Sequence, residues 1–173
     1  MTTEVGQHQM WTAQYFNFKT PRTLISSGGL GTMGFGLGAA IGVKVANPDK
    51  TVFNIAGDGS FGMNCNEFAT AVKYNIPIKI IVMNNNALGM VRQWQSLFYE
   101  ARYSQTTLDR ATDFVKLAEA FGGVGFRVEK REELDSVLEE ALAVDRPVII
   151  DYRIDSDKKV FPMVAPGAPI HQI

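Results

Sequence analysis

The chain contains a single cysteine, Cys65, among its 173 residues, so it cannot form an internal disulfide or a CxxC motif. A lone thiol is typical of proteins from a reducing compartment. The N-terminal residues MTTEVGQHQMW show no basic region followed by an apolar run, which is the pattern of a secretory signal. The sequence therefore predicts a cytosolic protein.

Excess charge and long hydrophobic runs are also lacking. The 17 basic and 18 acidic residues give a net charge of −1 and are scattered, so neither nucleic acid nor an anionic membrane is an expected partner. The apolar run over residues 30–43 ends at Lys44 and is shorter than the about 20 residues of a membrane span. Its GxxxG repeat at Gly34, Gly38 and Gly42 instead predicts a helix packed tightly against a sheet or a cofactor.

Strand-like apolar runs alternate with helical patterns along the whole chain. The composition, 46% hydrophobic and 20% charged, suits one globular domain over residues 1–173. Alternating strands and helices predict βαβ units, and therefore a three-layer α/β fold with a mostly parallel sheet and helices on both faces. The predicted strands cover 51–57, 78–84, 124–129 and 147–154, with a short extended segment at 23–26, and the predicted helices cover 32–46, 66–75, 114–121 and 131–145.

Polar motifs follow two of these strands. GDGSFGMN comes after the first and NNNALGM after the second, so Asp58 and Asn85 are one βα unit apart. Ligands of parallel α/β sheets bind outside the carboxyl ends of the strands. A carboxylate and an amide oxygen suit Mg²⁺, and the N–H groups of Gly59 and Ser60, near a helix start, favour an anion. Each motif alone is typical of an ordinary turn, but together they predict a metal-bridged diphosphate site.

The spacing GDGSF…NN resembles the signature of thiamine diphosphate-dependent enzymes. The stretches VGQHQMWTAQYF, PRTLISSGGLGTMGFGLGAAIG, GMVRQWQ with the later RYS, and VFPMVAPGAP extend the resemblance over nearly the whole chain. Together they resemble the C-terminal thiamine diphosphate-binding domain of the acetolactate (acetohydroxyacid) synthase catalytic large subunit. GMVRQWQ discriminates most, because pyruvate decarboxylases and oxidases share GDG…NN.

The resemblance implies a role for particular residues. The Asp58 and Asn85 side chains and the Ala87 carbonyl are expected to bind Mg²⁺, and Trp94 is expected at the substrate channel. The remaining residues are expected to contact the cofactor: Gln7 and His8 reach its diphosphate from an N-terminal loop, Gly59 and Ser60 bind the same diphosphate, Gly31 and Met33 meet the aminopyrimidine, and Leu88 and Met90 line the pocket.

Several of these residues have simpler interpretations from the sequence alone. His8 is also typical of an exposed N-terminal histidine. Met33 and Met90 are also typical of core-filling side chains. Trp94 with Phe98 four residues later is also typical of an amphipathic helix face.

Acetolactate synthase condenses pyruvate with a second 2-ketoacid, pyruvate or 2-ketobutyrate, with loss of CO₂, in branched-chain amino acid biosynthesis. The resemblance implies thiamine diphosphate and Mg²⁺ as cofactors, with FAD only in the full-length enzyme, and a homo-oligomer. It covers only the last of three domains. The pyrimidine-binding domain, which supplies the activating glutamate, and the middle, FAD-type domain lie outside it.

No catalytic residue is therefore expected in this chain, which should be inactive without the rest of the subunit or a pyrimidine-domain partner. Two alternatives remain open. One is a domain of another thiamine diphosphate-dependent 2-ketoacid decarboxylase or oxidase. The other is a non-catalytic interaction module with this fold.

Overall fold

A computed structural model describes residues 1–108 and 112–172 of the chain. Short 3₁₀ turns cover Cys65–Glu67 and Arg131–Glu133. The strands and helices, in chain order, are β1 (Thr2–Thr3), α1 (Gln7–Tyr15), α2 (Phe35–Ala46), β2 (Phe53–Gly57), α3 (Asp58–Asn64), α4 (Phe68–Lys73), β3 (Lys79–Asn84), α5 (Gly89–Phe98), α6 (Phe114–Ala120), β4 (Val124–Val128), α7 (Leu134–Ala143) and β5 (Val148–Arg153).

The strands form a five-stranded sheet in the order β1-β2-β3-β5-β4, and every neighbouring pair is parallel. β2 and β3 pair over their length, from Phe53 opposite Lys79 to Gly57 opposite Met83. The carboxyl ends of these two strands therefore emerge side by side at one edge of the sheet. The predicted parallel α/β sheet is confirmed.

Separate apolar cores cover the two faces of the sheet. Ile80 and Ile149 pack on the face covered by α2, α3, α4 and α6, whereas Ile81 and Ile150 pack on the face covered by α7. Neighbouring residues of a strand point to opposite faces, so a continuous run of β-branched residues serves both cores. The result is the three-layer arrangement that the sequence predicted. In the part of the chain that is described, no helix is long and apolar enough to cross a membrane.

The N-terminal region differs most from expectation. Gln7 and His8 lie in the first turn of helix α1, not in a loop as expected, and the chain before it adds β1 to the sheet. The residues that α1 buries are Gln7, His8 and Thr12, so the helix has no apolar stripe that would reveal it. The extended segment at 23–26 reduces to a single bridge between Ile25 and Thr2.

The helix predicted over 66–75 is shorter than expected. Helix α3 begins directly at Asp58, and a 3₁₀ turn separates it from α4. Helix α6 matches its predicted range of 114–121 to within one residue. The Asp113 carboxylate accepts hydrogen bonds from the N–H groups of Val115 and Lys116, at 3.0 and 3.2 Å, and Gly122 follows the helix with a φ of +89°.

Helix α2 does lie tightly against the sheet, but through a different glycine. A Cβ at Gly36 would stand 2.5 Å from Asn54 Oδ1 and 2.7 Å from the Glu4 nitrogen. At Gly38 and Gly42 a Cβ would meet nothing within 4 Å, because both residues are exposed. The GxxxG pattern therefore pointed to the wrong face of the helix.

Gly36→Ala and Gly38→Ala should change stability in opposite directions. Gly36→Ala forces a methyl group into main-chain atoms of β1, and the free energy of unfolding should fall by about 1–3 kcal/mol. Gly38→Ala removes backbone freedom from the unfolded chain without a clash, and should add about 0.5–1 kcal/mol. Urea unfolding of both variants measures the difference, and a change of the same sign in both would contradict this packing.

Candidate functional site

A cavity of about 510 Å³ lies at the sheet edge where β2 and β3 end. Its volume is in the range typical of cofactor sites. Its lining includes every residue to which the resemblance assigned a role, namely Gln7, His8, Gly31, Met33, Asp58, Gly59, Ser60, Asn85, Ala87, Leu88, Met90 and Trp94. The fold thus brings together residues from four separate stretches of sequence.

Asp58 and Asn85 occupy equivalent positions after paired strands. Asp58 is the first residue of α3 and directly follows β2, and Asn85 directly follows β3. Both side chains are largely buried and both line the cavity. The polar floor of the cavity therefore offers a carboxylate and an amide, which provide the hard oxygen atoms that Mg²⁺ prefers.

The three consecutive asparagines have separate tasks. Asn84 donates from Nδ2 to Asp151 Oδ1 at 2.8 Å, and its Oδ1 accepts from the N–H of Asn86 at 3.3 Å. Asn86 has a φ of +53°, a left-handed conformation that asparagine tolerates. Asn85 Oδ1 accepts from the N–H of Ala87 at 3.0 Å. Asn84 and Asn86 shape the turn, and Asn85 is the member that reaches the cavity.

The segment after this turn is tethered on its other side. Ala87 forms an antiparallel bridge with Thr107, and the Leu88 N–H donates to the Thr106 carbonyl at 2.8 Å. The Leu108 N–H donates to the Asn86 carbonyl at 2.7 Å. Main-chain bonds therefore hold the Ala87 region beside the cavity before helix α5 begins.

His8 is a buried histidine with an unused hydrogen-bonding atom. Its Nε2 is buried without a partner, and a Cβ at Gly57 would stand 2.8 Å from its Nδ1. Burial lowers the pKa of His8 to about 3, against the opposing effect of a hydrogen bond with the Glu4 main chain. The exposed-histidine interpretation is wrong. A buried polar atom facing a cavity favours a ligand that satisfies it.

The polar residues Gln7 and Ser60 are partly engaged by the protein itself. The Gln7 Nε2 donates to Gln93 Oε1 and to the Lys158 carbonyl, both at 2.9 Å, and Gln7 Oε1 accepts from Asn85 Nδ2 at 3.4 Å. Ser60 Oγ donates to the Gly57 carbonyl at 3.2 Å, so the hydroxyl oxygen can still accept a hydrogen bond. Ser60, in the first turn of helix α3, also lines the cavity.

The remaining lining is mostly apolar. Gly59 admits no side chain, because a Cβ there would stand 2.8 Å from Leu88 Cδ2 and 3.9 Å from Met33 Cε. Trp94 is 40% exposed and packs edge-on against Phe98, with ring centroids 5.6 Å apart. Trp94 therefore packs against Phe98 on one face of helix α5 and also lines the cavity, so its two interpretations are compatible.

A family model described as the thiamine pyrophosphate enzyme, C-terminal TPP binding domain, matches residues 4–152. The chain belongs to this family. It is 51% identical, over 99% of its length, to the mitochondrial acetolactate synthase catalytic subunit of Saccharomyces cerevisiae. It is 52% identical over 98% of its length to acetolactate synthase of Mycobacterium leprae, and 48% identical over 97% to the acetolactate synthase isozyme 2 large subunit of Escherichia coli. It covers 25%, 28% and 31% of these relatives, respectively.

The cavity fits the ligand of this thiamine pyrophosphate family. One side carries the orphaned His8 nitrogen, the Asp58 carboxylate and the buried first turn of α3, and the other carries methionine and leucine side chains. Thiamine diphosphate has the same division, with an anionic diphosphate at one end and flat rings at the other. Size, polarity and unused hydrogen-bonding capacity therefore agree.

Sequence reasoning about this thiamine pyrophosphate domain missed three buried polar residues. Glu4 caps helix α2, accepting from the N–H groups of Gly34 at 2.7 Å and Leu37 at 3.0 Å, and burial raises the pKa of its carboxyl. Asp151 accepts from Asn84, and Gln93 from Gln7. In the sequence such residues look like solvent-exposed ones. The one available signal is the position of Gln93, three residues after Met90 on a helix that lines the cavity.

The pKa of His8 predicts an acid-sensitive domain. The pKa of His8 is about 3 in the folded chain, below the ordinary histidine value of 6.5. Between these two pH values the imidazole is protonated in the unfolded chain and neutral in the folded chain. This contribution to stability is intact above pH 6.5 and is lost as the pH falls toward 3. Between pH 7 and pH 4.5 the loss should be about 2.5 kcal/mol.

Urea unfolding of ligand-free wild type and His8→Asn across this pH range tests the effect. The wild type should lose more stability than His8→Asn, whereas His171→Asn, at the other, exposed histidine, should follow the wild type. If the free energy of unfolding of wild type and His8→Asn changed with pH to the same extent, the buried neutral ring of His8 would be contradicted.

Proposed function

We propose that this chain binds thiamine diphosphate through Mg²⁺ and forms the cofactor-binding part of an acetolactate synthase catalytic subunit. The observation that carries the proposal is the joint position of Asp58 and Asn85. They follow adjacent parallel strands, are both largely buried, and line the same cavity.

In this proposal Mg²⁺ is held by the Asp58 carboxylate, the Asn85 Oδ1 atom and the Ala87 carbonyl. Mg²⁺ takes few protein ligands and completes its octahedral shell with phosphate oxygens and water. The hydrogen bond from the Ala87 N–H to Asn85 Oδ1 is compatible with this role, because it uses one lone pair of that oxygen and leaves another for a metal. The tether to Thr106 and Thr107 supports a fixed position for Ala87.

The diphosphate is held by the first turn of α3 and by His8. The N–H groups of Gly59 and Ser60 supply donors at the start of this helix. A hydrogen bond with the Glu4 main chain engages the ring of His8, so donation from the free Nε2 requires a protonated ring. A bound anion raises the pKa of His8 from about 3 and so favours that proton at Nε2.

The apolar residues orient the rings and exclude water. Met33, Leu88 and Met90, with Gly31 beside them, form the wall on which the rings lie, and Trp94 at the cavity selects the second 2-ketoacid. When bound, thiamine diphosphate supplies the electron sink for decarboxylating a 2-ketoacid. The chain's own residues contribute binding, orientation and a dry pocket.

The assignment to acetolactate synthase is supported by sequence identities of 48–52%, over almost the whole chain, to proteins of that name. The substrates are then pyruvate and a second 2-ketoacid, and the complete enzyme is a homo-oligomer in which FAD, where present, binds outside this region. The lone Cys65 supports a cytosolic location.

The activating glutamate comes from the rest of the subunit or from a partner. Glu4 is buried but does not line the cavity, and its carboxylate is bonded to the start of α2. It is therefore not available to a cofactor. The proposal assigns this chain the metal and diphosphate site and assigns proton transfer to the cofactor elsewhere.

Calorimetric titration with thiamine diphosphate and Mg²⁺ tests the metal site. Loss of outer-shell partners of metal sites weakens binding by about 10- to 100-fold, so Asp58→Ala, which removes a ligand, should weaken it at least about 10-fold. Asp135→Ala, in the first turn of α7, is the control and should bind like wild type. Equal affinity of wild type and Asp58→Ala would remove the metal-ligand assignment.

The isolated chain should produce no acetolactate from pyruvate when thiamine diphosphate and Mg²⁺ are present. Product formation can be followed by NMR, with cofactor and metal alone as the blank. Turnover well above the blank would show that the chain carries its own activating group, and would overturn the division of roles proposed above.

A further inference from the structure

Gln93 is a fully buried amide in helix α5, with 1% of its surface exposed. With Glu4, it ranks among the largest side chains that the fold buries completely. Burying an amide is costly unless its donors and acceptors are bonded. The bonds of Gln93 therefore indicate why the fold retains it.

One side of the Gln93 amide is fixed by the main chain of the C-terminal segment. The Val160 N–H donates to Gln93 Oε1 at 2.8 Å, and Gln93 Nε2 donates to the Val160 carbonyl at 2.9 Å. Nε2 also lies 3.4 Å from Met163 Sδ. A main-chain N–H only donates and a carbonyl only accepts, so reversing the amide would lose both bonds to Val160.

Gln93 in turn fixes the amide of Gln7. Gln93 Oε1 accepts from Gln7 Nε2 at 2.9 Å, and the same nitrogen donates to the Lys158 carbonyl at 2.9 Å. Both partners are acceptors, so the NH₂ group of Gln7 must face them and its oxygen must face the opposite way. The Gln7 oxygen also packs against Gly89, where a Cβ would overlap it.

Gln7 then fixes the amide of Asn85. Gln7 Oε1 accepts from Asn85 Nδ2 at 3.4 Å, while the Ala87 N–H donates to Asn85 Oδ1. An acceptor on one side and a donor on the other leave one orientation of the Asn85 amide. The chain of amides thus runs from the main chain of Val160 through Gln93 and Gln7 to Asn85.

We propose that Gln93 is a positioning residue for the metal site, acting through Gln7 to determine that Asn85 presents its oxygen, and not its NH₂ group, to the metal. This inference rests on the proposed function for the identity of the ligand. It assigns a role to Gln93, which does not line the cavity, and connects the C-terminal segment to the metal ligand.

If the role of Gln93 were purely structural, different results would be expected from its substitution. If Gln93 only pinned the segment around Val160, its loss would lower stability without changing Asn85. Gln14→Met is the matched control, because exposed Gln14 donates to the Pro162 carbonyl of the same segment at 3.4 Å but has no bond to Gln7.

The first experiment uses the ligand-free chain and ¹⁵N–¹H NMR of the side-chain amides. In Gln93→Met, the Asn85 amide resonances should shift although Asn85 and Gln93 share no hydrogen bond, and in Gln14→Met they should stay. Unchanged Asn85 resonances in Gln93→Met would overturn the proposal. If Gln93→Met does not fold, Gln93→Leu takes its place and should give the same shift. Isosteric Gln93→Glu keeps an oxygen that accepts from Gln7 Nε2, so it should leave the Asn85 resonances near their wild-type positions.

The second experiment titrates Mg²⁺ in the presence of thiamine diphosphate. Gln93→Met should weaken Mg²⁺ binding about 10-fold, the lower end for residues that orient metal ligands. In a Gln7→Met background the same substitution should change the affinity less than about 2-fold, because the connection is already broken. Full additivity of the two substitutions, or wild-type affinity in Gln93→Met, would overturn the proposal.

The two experiments separate this proposal from the proposed function. A wild-type chain that binds no Mg²⁺ and thiamine diphosphate contradicts the proposed function, while the NMR experiment still decides whether Gln93 orients Asn85. A wild-type chain that binds both, with Gln93→Met equal to it, contradicts only the role of Gln93.

Discussion

The in-register parallel pairing of β2 with β3 is the constraint on which the site depends. It places Gly57 opposite Met83, so the residues that follow each strand, Asp58 and the asparagine cluster, emerge at one edge. A slip of one residue would turn the side chains of a strand to the other face of the sheet, and the buried β-branched run would no longer fit both cores. The same packing that stabilises the sheet therefore sets the relative positions of Asp58 and Asn85.

Buried polar groups hold the site together around this pairing. Asn84 bonds Asp151 on the neighbouring strand β5, and Asp151 also pairs with Arg127 Nε at 3.2 Å and with Arg153 at 3.0 Å. Gln93 bonds the N-terminal helix and the C-terminal segment together. Because a buried polar group without its partner is costly, such contacts favour one arrangement of the turn over others.

The sequence was sufficient to predict the sheet and the positions of the two metal-ligand candidates, because β-branched runs ending in GDG and NNN carry a local signal. It could not reveal β1, which is two residues long, or α1, which buries Gln7, His8 and Thr12 in place of an apolar stripe. It also favoured the wrong glycines of α2, since a GxxxG pattern does not say which face meets the sheet.

The resemblance to a known family supplied the expected roles of the site residues, but not the hydrogen bonds that hold those residues in place. In the sequence, Gln93 and Glu4 look like ordinary polar residues, because hydrogen bonds between distant segments produce no recognisable pattern of residue spacing. Their partners, Val160 and the start of α2, lie 67 and about 30 residues away in the chain.

The most direct test of the account is a crystal structure of the chain with thiamine diphosphate and Mn²⁺ replacing Mg²⁺, in which anomalous scattering locates the metal. One metal peak is expected, at roughly 2.0–2.3 Å from the Asp58 carboxylate, Asn85 Oδ1 and the Ala87 carbonyl. A diphosphate bound with its metal away from Asp58 and Asn85, or an Asn85 amide that turns its nitrogen to the metal, would contradict it.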